Sequence, residues 1–135
     1  MFPANTHILI VDDSALMHSI VKKHLTAMGF SQFSTALDGK LGFAALEAAK
    51  QSGNPVGLIL SDWHMPEMSG FQFLQAVRQS EAFKAIPFVL LTANTEPAAT
   101  SEAIAAGVSA FLVKPVNPEV LKAELTAVWN RVATR

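Results

Sequence analysis

Leu58-Ile59-Leu60-Ser61-Asp62-Trp63-His64-Met65-Pro66 is a short apolar run that stops on a carboxylate, and a proline soon after forbids the strand from continuing. Asp62 is therefore expected at a strand tip. Where strands alternate with helices, ligands collect outside the carboxyl ends of the strands. A carboxylate held there faces a cleft, and that is where chemistry would be placed.

Outward from this stretch the same pattern repeats. Upstream, His7-Ile8-Leu9-Ile10-Val11 is a β-branched run ending at Asp12-Asp13, with Ser14 placed to cap the next helix. Residues 15–28 carry Met17, Ile20, Val21, Leu25 and Met28 at helical spacing, and Gly29 is a fitting stop. Residues 32–36 form a weak second strand. Asp38-Gly39 then makes a turn into an alanine-rich helix over 40–52, which Gly53-Asn54-Pro55 ends.

Downstream of residues 58–61, the spacing predicts a helix over 71–79 and a strand over 88–91 that ends at Thr92. A helix from Pro97 to Gly107 and a strand over 110–113 closed by Lys114-Pro115 follow, and Pro118 opens a last helix with Leu121, Leu125 and Val128 on one face. Helical crossovers between short apolar strands imply a doubly wound α/β sandwich: a five-stranded parallel sheet with right-handed connections and five helices.

The 135 residues suit a single domain spanning 1–135, with a core that folds without staples. With no cysteine, there is no disulfide framework, zinc finger or thiol nucleophile. The amino terminus lacks the basic start and apolar core of a signal peptide, and no apolar run reaches the span of a membrane. A cytoplasmic location without membrane association is expected. Ten basic against eleven acidic residues leave none of the positive excess that a nucleic-acid surface needs. Hydrophobic residues at 50% and a mean hydropathy of +0.31 suggest strands covered on both faces.

Four strands end on polar residues at one edge of the sheet: Asp12 and Asp13, Asp62, Thr92, and Lys114. Neighbouring carboxylates raise one another's pKa unless a cation offsets them, and hard oxygen ligands suit Mg2+. Magnesium in turn bridges to phosphoryl oxygens. Lysine adds a second positive charge and threonine a hydroxyl donor. The expected pocket holds a phosphoryl group, and a carboxylate can accept it as an aspartyl phosphate. Asp62, alone on a central strand tip, is best placed for that, while the Asp12-Asp13 pair suits metal ligation. Ala93 leaves room for the donor.

With Ile8-Leu9-Ile10-Val11-Asp12-Asp13, Asp62-Trp63-His64-Met65-Pro66, Gly70, Leu91-Thr92-Ala93 and Val113-Lys114-Pro115 in this order and spacing, the chain resembles the receiver domain of two-component response regulators. Stand-alone, chemotaxis-type receivers are most similar. The resemblance implies the flavodoxin-like strand order 2-1-3-4-5. It implies that Asp62 is the phosphoacceptor, that Asp13 and Asp62 ligate Mg2+ with Asp12 acting largely through water, and that the His64 backbone carbonyl completes the seat. Thr92 and Lys114 would contact the phosphoryl group, with Trp63, Ala93, Asn94 and Pro115 lining the pocket and a cis Lys114-Pro115 bond.

Phosphorylation would draw Thr92 inward and let Phe111 change rotamer, altering the face formed by the fourth helix, fifth strand and fifth helix. A sensor histidine kinase or histidine phosphotransfer protein would be the donor. A protein such as a flagellar motor switch would be the output target of a monomer with no attached output domain. Two positions depart from the chemotaxis-type pattern. His64 stands where asparagine is frequent, beside the pocket, and Phe111 stands where tyrosine is frequent, without its hydroxyl.

Taken singly, Asp12 or Asp13 would be a helix cap, and the joint pattern argues otherwise. His7, His18 and His24 lack metal-ligand spacing and read as structural or surface residues. Trp63 reads as a packing residue beside the pocket, Trp129 as packing in preference to marking a partner surface, and Phe71 and Phe73 as core or rim. A flavin module would not present Asp12-Asp13 to a phosphate. An aspartate-nucleophile phosphatase would carry a second acid where His64 stands. A pseudo-receiver would have lost the acids or the lysine. A phosphorelay shuttle, or an unphosphorylated pseudo-receiver acting as an interaction module, remains the alternative.

Overall fold

The computed structural model describes residues 1–93 and 97–133. Among these the strands are β1 (His7–Val11), β2 (Gln32–Ala36), β3 (Leu58–Asp62), β4 (Phe88–Thr92) and β5 (Ala110–Val113). The helices are α1 (Ala15–Ala27), α2 (Gly39–Gln51), α3 (Gly70–Gln79), α4 (Pro97–Ala105) and α5 (Pro118–Ala133). All strand pairs are parallel, in the order β2-β1-β3-β4-β5. The expected α/β sandwich and strand order are both present.

Every residue of β1, β3 and β4 is buried, as a parallel sheet with helices on both faces requires. Side chains alternate across the sheet with a period of two. Ile8, Ile10, Leu58, Leu60, Val89 and Leu91 join Val21 and Leu25 of α1 and Leu121, Leu125 and Val128 of α5. Leu9, Val11, Ile59, Phe88 and Leu90 join Leu46 of α2, Phe73, Leu74 and Val77 of α3, and Ala103 of α4. Two apolar layers therefore grip one sheet, and its strands can end only at the rims. The register Asp62↔Leu91 and Thr92↔Val113 lines up the carboxyl ends of β3, β4 and β5 at one rim.

Helix boundaries follow from caps. Ser14 Oγ accepts the Met17 N–H at 3.3 Å, and Gly29, at φ 102, turns the chain after α1 in a conformation that side chains resist. Asp38 Oδ1 accepts the Leu41 N–H at 2.8 Å, so α2 begins at Gly39, one residue earlier than its spacing predicts. Ser69 and Gln72 form a capping box, which likewise brings the start of α3 forward to Gly70. At the other ends, α1 stops at Ala27 and α4 at Ala105, short of the predicted 28 and 107, because the last turns close onto caps. None of these shifts moves a strand tip.

Candidate functional site

The tips converge. The Asp12 backbone N–H is tied to Ala36 O at 3.0 Å, and its carboxylate accepts the Ser14 N–H at 2.9 Å. Asp12 is thereby held by the turn that starts α1. Asp62 ends β3, and its Oδ1 accepts the N–H of Trp63 at 2.9 Å. That same N–H also reaches Leu91 O on β4, at 3.1 Å. Lys114 follows β5 directly, with its N–H donated to Thr92 O at 2.9 Å, so β4 and β5 stay paired up to the site.

The Lys114 ammonium bridges two acids, at 3.0 Å from Asp62 Oδ1 and 3.2 Å from Asp12 Oδ2. Both carboxylates are buried; Asp13 is exposed. Burial pushes the Asp62 carboxyl above its ordinary value. The Lys114 hydrogen bond opposes this, the Asp12 charge adds to it, and the charge of Lys114 and the Trp63 N–H do not cancel the rise. Lys114 is pulled down by its own burial, but the hydrogen bond and charge of Asp62, followed by Asp12, hold its ammonium above the ordinary lysine value.

A single lysine facing two buried acids, with a third at the rim, leaves negative charge in excess. Asp12, Asp13 and Asp62 each offer an oxygen, all within 4.8 Å of one another. An all-oxygen, mostly carboxylate set is the donor chemistry of a hard divalent cation such as Mg2+, and these residues fit one. The three predicted carboxylate ligands therefore lie together.

Thr92 is fully buried at the end of β4, while Ala93 beside it is exposed. His64 is exposed in the loop between β3 and α3. The Lys114-Pro115 bond is cis. Asn94, expected to line the pocket, lies outside the described residues. Phe111 is half-buried, 6.0 Å from the Trp63 ring centroid. The remaining histidines are accounted for in part by structure. His7 bonds Asn54 O and Ser34 Oγ, and His18 bonds Ala36 O. Trp129 packs on Phe2 at 5.1 Å.

Two features were missed from the residues alone. Gly70 donates its N–H to Trp63 O at 2.8 Å, and a Cβ there would collide with the Asp62 carbonyl oxygen. Its position in the motif was visible, but the reason was not, because only folding brings α3 against the end of β3. Phe71, read as core or rim, stacks on Trp63 with centroids 5.6 Å apart and planes 25° apart. An aromatic flanking a glycine in sequence was the only available signal.

Residues 8–126 match the family model of the response regulator receiver domain. The chemotaxis protein CheY of Pseudomonas aeruginosa is 38% identical over 125 residues, covering 93% of this chain and 97% of that protein. The CheY1 chemotaxis protein of Helicobacter pylori is 35% identical over 121 residues, covering 90% and 94%. The solved structure of Vibrio cholerae CheY4 has a TM-score of 0.82 at 37% identity, covering 93% of this chain and 99% of that one.

Proposed function

The chain belongs to the response regulator receiver family, and from that premise we propose that it accepts a phosphoryl group on Asp62 and relays that state by protein contact. The carrying observation is the buried Asp62 carboxylate, shared with Lys114 and flanked by Asp12 and Asp13. A carboxylate oxygen of Asp62 attacks phosphorus, an O–P bond forms, and the bond to the donor nitrogen or acyl oxygen breaks in line. A phosphohistidine protein, such as a sensor kinase or phosphotransfer domain, supplies the group in the cell, and a small acyl phosphate can do so in vitro.

The chain's own part is positioning and charge. Trp63 N–H orients Asp62, and the Lys114 ammonium is available to the incoming phosphoryl oxygens once it leaves the carboxylates. Thr92 adds a hydroxyl to the same group. Asp12, Asp13, Asp62 and the His64 carbonyl would hold Mg2+, which neutralises charge on the transferring phosphoryl when bound. Residues 1–135 act as one receiver unit in the cytosol, without a separate substrate to turn over. Phe111 and the exposed Ile104, Val113 and Val120 on α4, β5 and α5 form the output face, suited to a motor switch or another protein target.

Intact mass after incubation with acetyl phosphate tests this. One added phosphoryl group is expected on the wild type with Mg2+, and none without Mg2+ or on Asp62→Asn. Equal labelling of Asp62→Asn would overturn the assignment. If beryllofluoride with Mg2+ also fails to bind the wild type, the chain is an unphosphorylated interaction module.

A further inference from the structure

Residues 63 and 70–71 are clamped together twice. The Gly70 N–H holds the Trp63 carbonyl at 2.8 Å, and the Phe71 ring stacks on the Trp63 indole at 5.6 Å. Between the clamps runs the loop of residues 64–69. It includes a tight turn in which Met68 N–H bonds Pro66 O at 2.7 Å around Glu67, at φ 66. The Trp63 peptide N–H is the one backbone donor among the described residues with a hydrogen bond to the Asp62 carboxylate, at 2.9 Å. The same indole meets Phe111 with ring centroids 6.0 Å apart and planes 36° apart. Phe71, Trp63 and Phe111 thus make a chain of ring contacts from the start of α3, through the end of β3, to β5.

Resting on the reading of Asp62 as phosphoacceptor, we propose that Phe71 is a positioning residue for that site. Its stack fixes the Trp63 indole, and the Trp63 peptide unit in turn aims the Asp62 carboxylate and carries changes there to Phe111. The backbone of residue 63 is held at its carbonyl by Gly70 and at its N–H by Leu91 O and Asp62 Oδ1. The ring stack holds the indole itself, the part of residue 63 that those backbone bonds leave free to turn and that reaches Phe111. Leucine at position 71 would preserve apolar bulk and helix propensity but not the flat face. Tyrosine would preserve the face.

The test uses the full chain with Trp129→Phe, which leaves Trp63 as the only indole. Phe71→Leu and Phe71→Tyr are compared for the Trp63 emission change on titration with beryllofluoride and Mg2+, and for KM and kcat of phosphorylation by acetyl phosphate. Losing one stacked pair corresponds to an affinity change of about 3- to 10-fold. Phe71→Leu is expected to weaken beryllofluoride binding by about that factor and to blunt the Trp63 response. Phe71→Tyr is expected to restore both.

If Phe71→Leu binds with wild-type affinity and keeps the full emission change, the proposal is overturned while the phosphoacceptor assignment stands. If Leu and Tyr variants lose thermal stability equally with affinity unchanged, Phe71 is only a packing residue and the proposal is likewise overturned. Should the Trp129→Phe protein give no response that Asp62→Asn abolishes, the phosphoacceptor assignment fails and the proposal falls with it.

Discussion

Replacing Lys114 by methionine separates two roles of its ammonium, holding the fold and competing with metal. At an effective dielectric constant near 20, opposite unit charges 3.0 and 3.2 Å apart each attract by about 5 kcal/mol. Desolvation of the three groups offsets most of that, and removing one partner of a buried pair typically leaves a net loss of about 3–5 kcal/mol. With the Lys114 side chain 22% exposed, the lower end, about 3 kcal/mol, is expected in EDTA. The sign agrees with titration. An ammonium whose folded pKa is raised stabilises the fold fully below the unfolded value of 10.5 and loses that contribution as pH rises through the folded value.

In the wild type, a Mg2+ ion held by Asp12 and Asp62 would compete with Lys114 for the same carboxylate oxygens. In Lys114→Met the acids stand uncompensated, and a bound cation would meet no competing ammonium. Tighter Mg2+ binding by about tenfold or more is expected, equivalent to about 1.4 kcal/mol of the lost compensation. Urea unfolding in EDTA and in a fixed excess of MgCl2, with Mg2+ affinity from Trp63 emission, measures both quantities. The variant's midpoint should rise more with Mg2+ than the wild type's. Equal Mg2+ affinities and equal midpoint shifts would refute the competition, and the bridging geometry would then carry no energetic weight.

Asp62→Asn is expected to be more stable than wild type at pH 7 in EDTA. A carboxyl with a raised folded pKa disfavours the fold as pH climbs from the ordinary value of 3.8 through the folded one. Urea midpoints that differ as much below pH 3.8 as at pH 7 would contradict this. Gly70→Ala puts a methyl against the Asp62 carbonyl, and overpacking of this kind typically costs about 1–3 kcal/mol. Because backbone cannot rotate away, the upper end is expected, with weaker Mg2+ binding, by the same titrations. Glu67→Asn relieves a left-handed residue and should stabilise by about 0.5–1 kcal/mol in urea unfolding. An unchanged or lower midpoint would mean that the Glu67 side chain contributes something that asparagine does not replace.

The sheet and its rim were legible because their signals are local. Each strand is a short apolar run with its own terminator, and Asp12, Asp62, Thr92 and Lys114 are those terminators. The strand order came from resemblance, since periodicity does not say which strand neighbours which. Caps moved helix ends by a residue or two, as at Asp38 and Ser69, where the side chain decides which N–H starts the ladder. What local pattern could not show were pairings across the fold. The Lys114 bridge to Asp12 spans 102 residues, and that Lys114 would meet both acids at once depends on β5 lying beyond β4. The Phe71 stack and the closeness of Gly70 to Asp62 depend likewise on how α3 returns to the end of β3.

The amide proton of Trp63 is shared between Leu91 O, as the last rung between β3 and β4, and Asp62 Oδ1. The end of the sheet at this edge therefore rests on a donor that also serves the site. When the carboxylate oxygen turns to another partner, the proton falls wholly to Leu91 and the ladder closes by one full rung. When the oxygen returns, the rung loosens. One exchangeable hydrogen thus couples the zippering of the central strands to occupancy of the site, and its exchange rate with solvent is a clock that reports both.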